Sequence, residues 1–170
     1  VLIIATYDEN SSPDAMNAAW GGLYDGNKVE LCLSAGHKTT KNIRATGAFT
    51  VSFADAANLV ASDYVGLASA NTEPKKMEKS GFHLTKSQFV NAPLIDELPV
   101  AMECKLVKIN EDGNVIGEIV NVSADESVLG EDGNIDFSKF HPISFEPVHN
   151  GYHVLGQRVG NAFQDGAALK

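Results

Sequence analysis

The sequence predicts a mainly β fold of the α+β kind: an antiparallel sheet or barrel with a few short helices packed outside it. Three observations carry this expectation. Strand-length runs rich in β-branched and aromatic residues recur, as in Val1-Leu2-Ile3-Ile4-Ala5-Thr6-Tyr7 and Ala48-Phe49-Thr50-Val51-Ser52-Phe53. Turn clusters of hairpin type, Asp25-Gly26-Asn27 and Glu111-Asp112-Gly113-Asn114, separate neighbouring runs. Helical segments are few and short and do not alternate regularly with strands, which argues against a parallel sheet. No internal repeat, low-complexity tract or linker interrupts the 170 residues, a length that suits a single domain over 1–170.

Taken in order, the opening run already reads as strand at Val1, so further residues are expected ahead of it. A turn cluster at residues 8–13 leads to a second segment, 16–24. After the Asp25-Gly26-Asn27 turn, residues 29–34 alternate like a strand with one buried face. These three pieces are expected to be consecutive antiparallel strands. Residues 35–47 read as a loop and a short helix, N-capped by Thr39 or Thr40 and stopped by Gly47. After the strand at 48–53, Asp55 is placed to cap a helix running to about Ala68. Pro74 opens a shorter helix that Gly81 ends. Residues 82–99, broken by Pro93 and Pro99, are expected to be irregular. Residues 100–109 and 115–122 form the clearest hairpin, and Glu131-Asp132-Gly133-Asn134 marks another turn. From Phe140 onward, Pro142 and Pro147 confine the chain to edge segments or loops. Glycines at 156, 160 and 166 keep any helix in the tail short.

Composition removes several function classes. The apolar share of 44 % and charged share of 21 % are those of an ordinary folded protein. With 13 basic and 22 acidic residues the net charge is −9. Nucleic acid and anionic lipid are recognised by basic surfaces, so neither is an expected partner. No apolar stretch has bilayer-spanning length. The opening run has neither a basic leader nor a small-residue cleavage site, so a cytoplasmic protein without a signal peptide is expected. Cys32 and Cys104 are too few for a disulfide scaffold and are expected to be buried thiols in strands.

Two stretches carry possible binding chemistry. Ser34-Ala35-Gly36-His37-Lys38-Thr39-Thr40-Lys41-Asn42-Ile43-Arg44 is cationic and hydroxyl-rich, and sits where a strand gives way to a helix. Unpaired N–H groups and the helix dipole favour an anion at such a point. Lys38 or His37 can add charge there, and Ser34, Thr39 and Thr40 can add hydroxyl donors. A phosphate monoester suits this nest, while a capped surface helix with solvated Lys and Arg accounts for the same residues. The stretch is not a P-loop, because the spaced glycines ahead of a Gly-Lys-Thr core are missing. The second stretch is Asn17-Ala18-Ala19-Trp20-Gly21-Gly22. Small residues beside a polar amide let a flat ligand approach the backbone, and Trp20 can stack on it or wall it off. A bulged core strand with its one Trp in the interior is the alternative.

Other constellations fail. The five histidines, at 37, 83, 141, 149 and 153, form no dense metal motif. His149 and His153 are four apart, but Gly151 and Pro147 argue against a helical zinc site, and no metal is expected. There is no Gly-x-Ser-x-Gly elbow and no Gly-x-Gly-x-x-Gly fingerprint. Hydrolysis has no support, and no catalytic side chain is assigned.

Four stretches in order carry a family likeness. They are the opening strand with Asn17-Ala18-Ala19-Trp20-Gly21; residues 34–43 leading to Thr46-Gly47-Ala48-Phe49-Thr50-Val51-Ser52; Asp63-Tyr64-Val65-Gly66-Leu67-Ala68-Ser69 followed by Lys76-Met77-Glu78-Lys79-Ser80-Gly81-Phe82; and Gly151 through Phe163. Together they resemble the flavin reductase-like, FMN-binding split-barrel family, and within it the flavoredoxin-type proteins. The resemblance implies a six-stranded antiparallel Greek-key split β-barrel with a few short peripheral helices. It also implies a homodimer with FMN as cofactor beside the interface. By the same likeness Ser34, His37, Lys38 and Thr39 match the family's phosphate loop. Asn17, Ala18, Ala19 and Trp20 match the strand along the isoalloxazine edge. Relatives often carry Arg where this chain has His37-Lys38, and lysine acts as a point charge rather than a fork. The implied activity is an FMN-dependent oxidoreductase taking electrons from NADH, NADPH or a redox protein. An electron carrier or a ligand-binding barrel without its own turnover is the alternative. Whether Tyr152, His153 or Lys76 reach the flavin is left open by the sequence.

Overall fold

A computed structural model describes residues 1–170. Its first strands are β1 (Leu2–Tyr7), β2 (Pro13–Ala18), β3 (Gly21–Asp25), β4 (Lys28–Leu31) and β5 (Ala48–Phe53). Later come β6 (Leu84–Lys86), β7 (Pro93–Ile95), β8 (Val100–Ile109), β9 (Val115–Ala124), β10 (Ile143–Glu146) and β11 (Gly151–Val154). The helices are α1 (Lys38–Thr46), α2 (Leu59–Leu67) and α3 (Lys76–Ser80). None is long and apolar enough to cross a membrane. Seven strands form one sheet in the order β2-β1-β5-β8-β9-β4-β3, and β6–β7 and β10–β11 are separate two-stranded ribbons. Every pairing is antiparallel.

Chain connectivity dictates the shape of this sheet. Strands β2 and β3 stand at its two ends, yet only Ala19 and Trp20 lie between them. Three residue steps reach at most about 11 Å. Six interstrand spacings across a flat sheet come to about 29 Å. The sheet therefore curls until its edges meet at the Ala18–Gly21 seam, which makes a split barrel. There the Cys32 N–H donates to the Trp20 carbonyl at 3.1 Å. This corrects the expectation of one strand over 16–24: the segment is two strands on opposite edges, and the count rises from six to seven.

Strand β1 lies on the line where two cores meet. Leu2 and Ile4 point into the barrel with Val29, Leu31, Phe49 and Val51. Ile3 and Ala5 point outward against Val65 of α2, Ile95 and Ile143. Burial of both faces explains why this strand is a continuous apolar run rather than an alternation. Inside the barrel a Cβ at Gly117 would collide with the fully buried Phe49 ring, so glycine opens the space that ring fills.

The turn chemistry holds in most places. Gly47 and Gly81 end α1 and α3 in the left-handed conformation, at φ of 69° and 76°. Asp55 differs from expectation. Its carboxylate accepts the Asn58 N–H at 2.9 Å, which fixes a turn, and α2 begins only at Leu59. Residues 82–99, expected to be irregular, contain the β6–β7 ribbon. The Thr50 hydroxyl donates to the Pro93 carbonyl at 2.6 Å, and Ser87 donates to the buried Glu103. Glu103 also accepts from Asn121 at 2.6 Å and Ser123 at 2.7 Å. Burial pushes its carboxyl up, but the three donors outweigh burial and hold it below the usual range.

The seam yields a stability prediction. A Cβ at Gly21 would lie 2.8 Å from the Glu30 carbonyl oxygen and 3.1 Å from both Leu2 and Leu31, whereas one at Gly22 would meet nothing within 4 Å. Gly21→Ala is expected to lower the urea unfolding free energy by about 1–3 kcal/mol, and Gly22→Ala to leave it nearly unchanged. Equal effects would refute the close-packed seam. A second prediction concerns pH. The Glu97 carboxylate accepts from both the ring and the backbone N–H of His83, and raises the His83 pKa through that ring hydrogen bond and then through charge. A raised folded-state pKa stabilises fully below the unfolded value and loses that contribution as pH rises through the folded one. As pH rises from the ordinary histidine value of about 6.5 through the raised folded-state value, the native protein is expected to lose more stability than His83→Gln, with parallel curves refuting the linkage.

Candidate functional site

A groove runs along β2 between the start of α1 and the second half of α2. Its two compartments, of about 330 and 220 Å³, share Met16, His37, Gly66 and Leu67. The larger is walled by Asn17, Ala18, Ala19 and Trp20, with Cys32 and Tyr152 beside them. The smaller is walled by Asp14, His37, Lys38, Thr39 and Lys76. Seven of the eight residues singled out from the sequence thus line one continuous groove. Ser34 does not. Its carbonyl accepts from the Thr40 hydroxyl at 2.8 Å and the His37 N–H at 3.1 Å, which shapes the loop ahead of α1.

At the wide end the seam controls the geometry. Ala19 and Trp20 belong to neither edge strand, and their N–H groups have no acceptor within the chain. Trp20 is 59 % exposed rather than in the interior, and stands edge-on to Phe145 with ring centroids 6.2 Å apart. Phe145 in turn packs on Tyr152 at 6.0 Å. The Tyr152 hydroxyl donates to Asp63 at 2.7 Å, and burial followed by that carboxylate pushes its pKa up. Asn17 spends its amide on α2, donating to the Ser62 carbonyl at 3.0 Å. The helix comes so near that a Cβ on Gly66 would lie 2.8 Å from the Asn17 Cβ.

At the narrow end α1 starts without a cap. His37 occupies the N-cap position with no side-chain hydrogen bond, and the first turn carries no acid. The N–H groups of Lys38, Thr39 and Thr40 find no acceptor in the chain. The expected threonine cap fails because both hydroxyls are used elsewhere: Thr40 on Ser34, and Thr39 on the Asp14 carboxylate at 2.9 Å. The Lys38 ammonium is also engaged, 3.2 Å from Asp8. The Ser12 N–H first, and Lys38 after it, hold the Asp8 carboxyl below its usual range. Behind Thr39 lies a buried pair. Lys76 and Asp14, 3 % and 2 % exposed at their side chains, stand 3.1 Å apart.

Lys76 and Tyr152, left open by the sequence, both reach the groove, whereas His153 lines neither compartment and is exposed near Glu146. Sequence reasoning misses Asp14. Its one signal is an acid inside the strand segment Pro13-Asp14-Ala15-Met16, a position that demands a buried partner. The cysteine expectation is half corrected. Cys104 is buried in the barrel, where burial and then Glu103 push its thiol up to about 12. Cys32 lies beyond the end of β4, exposed and within the larger compartment.

Comparison with known proteins agrees with this architecture. The model of the flavin reductase like domain matches residues 1–145. Flavoredoxin of Desulfovibrio vulgaris (Miyazaki F) superposes with a TM-score of 0.92 at 35 % identity, over 97 % of this chain and 91 % of that one. An FMN-binding domain of a flavin reductases-like enzyme from Shewanella baltica OS155 shares the fold, with a TM-score of 0.84 at 19 % identity, over 94 % of this chain and 87 % of that one. An uncharacterised protein of Aquifex aeolicus (strain VF5) is 34 % identical over 74 residues, 42 % of this chain. The match spans only 38 % of that relative's length. The chain belongs to the flavin reductase-like domain family.

The two thiols give a direct check on the groove. An aromatic disulfide reagent is expected to label a single thiol per native chain, and Cys32→Ser to abolish native labelling until the protein is unfolded. Labelling of Cys104 in the native protein would contradict its place in the barrel core.

Proposed function

We propose that this member of the flavin reductase-like domain family binds FMN in the groove along β2 and serves as an FMN-dependent oxidoreductase. The observation that carries this reading is the polarity of the groove. One end offers a flat wall of Ala18, Ala19 and Trp20, and the other offers an uncapped helix start in a chain that is otherwise strongly acidic. A flat aromatic ring system joined by a short chain to a phosphate matches those two ends. The names of the Desulfovibrio and Shewanella relatives, one a flavoredoxin and one FMN-binding, support the same ligand.

In this reading the first-turn N–H groups of Lys38 and Thr39, beside His37, receive the phosphate, aided by the helix dipole. Lys38 thus contributes its backbone, since its ammonium is engaged by Asp8. Ser34 shapes the loop. The isoalloxazine edge lies along Asn17 to Trp20, where the free N–H groups of Ala19 and Trp20 stabilise negative charge developing on the pyrimidine side. Trp20, Phe145 and Tyr152 shield that end from water. Bound FMN would supply the centre that accepts a hydride or single electrons, so the chain's own task is binding, orientation and electrostatics. The donor is NADH, NADPH or a redox protein. A flavoredoxin-type carrier reduced only by a protein is the second reading, favoured by the likeness to the Desulfovibrio protein. A homodimer with the groove beside its interface is part of the proposal. It is supported by the exposed apolar side chains of Leu155, Val159, Phe163 and Leu169 along the tail.

The chain's one tryptophan stands in the groove, so its fluorescence reports binding. Titration with FMN is expected to quench Trp20, and denaturing the purified complex to release FMN. Steady oxidation of NADH or NADPH by the loaded protein would favour the reductase, and reduction only by a partner protein the carrier. No quenching and no retained flavin would overturn the cofactor assignment.

A further inference from the structure

We infer that Asp63, held by Tyr152, tunes the groove against a reduced flavin: its carboxylate lowers the reduction potential of the bound cofactor. The inference rests on the FMN reading and adds a residue that regulates the same site.

The larger compartment has a simple charge inventory. Among the side chains that line it, Asp63 alone is an acid, and none is lysine or arginine. The other titratable groups there are Cys32, His37 and Tyr152. Asp63 sits midway along α2 and is half-buried. Its Oδ1 accepts the Tyr152 hydroxyl at 2.7 Å, and its Oδ2 meets no donor in the chain. The carboxylate thus borders the compartment with no lysine or arginine to offset it. Burial and then this carboxylate push the Tyr152 pKa up, so the phenol keeps its proton and stays a neutral donor.

Reduction changes what such a charge does. Two electrons and one proton added to the isoalloxazine leave it one negative charge richer. The oxidised ring is neutral and nearly indifferent to a neighbouring carboxylate, whereas the reduced anion is repelled by it. A partly buried charge is screened by salt much less than an exposed one. The free N–H groups of Ala19 and Trp20 act in the opposite sense, by donating to that same negative charge. The potential of the bound ring reflects both, and a change at Asp63 isolates the carboxylate. Tyr152 is a positioning residue: its hydroxyl fixes Oδ1 and disperses part of the charge.

The test is the reduction potential of the FMN-loaded protein, read by anaerobic dithionite titration against a reference dye. Trp20 quenching gives the affinity for each redox state. Asp63→Asn keeps an oxygen for the Tyr152 hydroxyl and removes the charge. It is expected to favour the reduced over the oxidised form about tenfold, a rise of about 30 mV for a two-electron couple. Asp63→Glu keeps the charge and is expected to stay near the native potential. Tyr152→Phe leaves the carboxylate without its donor and is expected to lower the potential. That opposite sign can be read even if Asp63→Asn fails to fold. Three results overturn the role of Asp63 and leave the FMN reading standing. They are an Asp63→Asn protein that keeps the native potential by weakening both redox states alike or neither, an Asp63→Glu protein that shifts as far as Asp63→Asn, and a Tyr152→Phe protein with a raised potential. A native protein that binds FMN in neither state removes the FMN reading, and this inference with it.

Discussion

The two-residue link between β2 and β3 is the constraint on which the rest depends. Because Ala19 and Trp20 must join strands from opposite ends of a seven-stranded order, the sheet has to curl. At the seam the chain leaves one strand and enters another, so it has no ladder partner for two successive N–H groups. Gly21 is required where the returning strand passes the Glu30 carbonyl and the Leu2 and Leu31 side chains. One connection thus closes the barrel, frees backbone donors and sets Trp20 at the surface. The groove is a consequence of barrel closure rather than an addition to it.

Much of this is legible in the sequence, where local chemistry decides the outcome. The β8–β9 hairpin, the strand β5 and the glycine stops at Gly47 and Gly81 can be read nearly to the residue, because turn residues and left-handed glycines act locally. The split of residues 16–24 is not legible. Nothing local distinguishes a long strand from two strands on opposite edges when the division depends on how the whole sheet curls. The β6–β7 ribbon is hidden for the same reason, since Thr50 and Glu103, outside the ribbon on β5 and β8, hold it. At the site, residue types point to the two ends of the groove. What they cannot give is the direction of each side chain: Thr39 turns to Asp14, Lys38 to Asp8, and Asn17 to α2.

An acidic chain that accommodates an anion needs local rather than global cancellation. Lys38 is matched by Asp8 and Lys76 by Asp14, so the narrow end of the groove carries little net side-chain charge. What remains uncompensated is the start of α1, which has no acid in its first turn and no cap. Peptide dipoles and unpaired N–H groups are fixed and short-ranged, so they attract an anion at one point without making the surface basic. Under the proposed reading, the helix start rather than the net charge of −9 sets where an anion is held.

The same logic accounts for the position of the groove beside an edge strand. Strand β2 pairs only with β1, so its other backbone edge is unpaired. An open edge is a hazard, because it can add a strand from another chain. Here α1 and α2 flank that edge, tied to β2 by Thr39 on Asp14 and by Asn17 on Ser62. The opposite edge is guarded less. Strand β3 is exposed along its whole length, with Leu23 and Tyr24 in water. Under the dimeric reading, a second copy covers apolar surface of this kind, and under the flavin reading the edge at β2 takes the ligand. The division of roles between the two edges comes directly from splitting the barrel at one short seam.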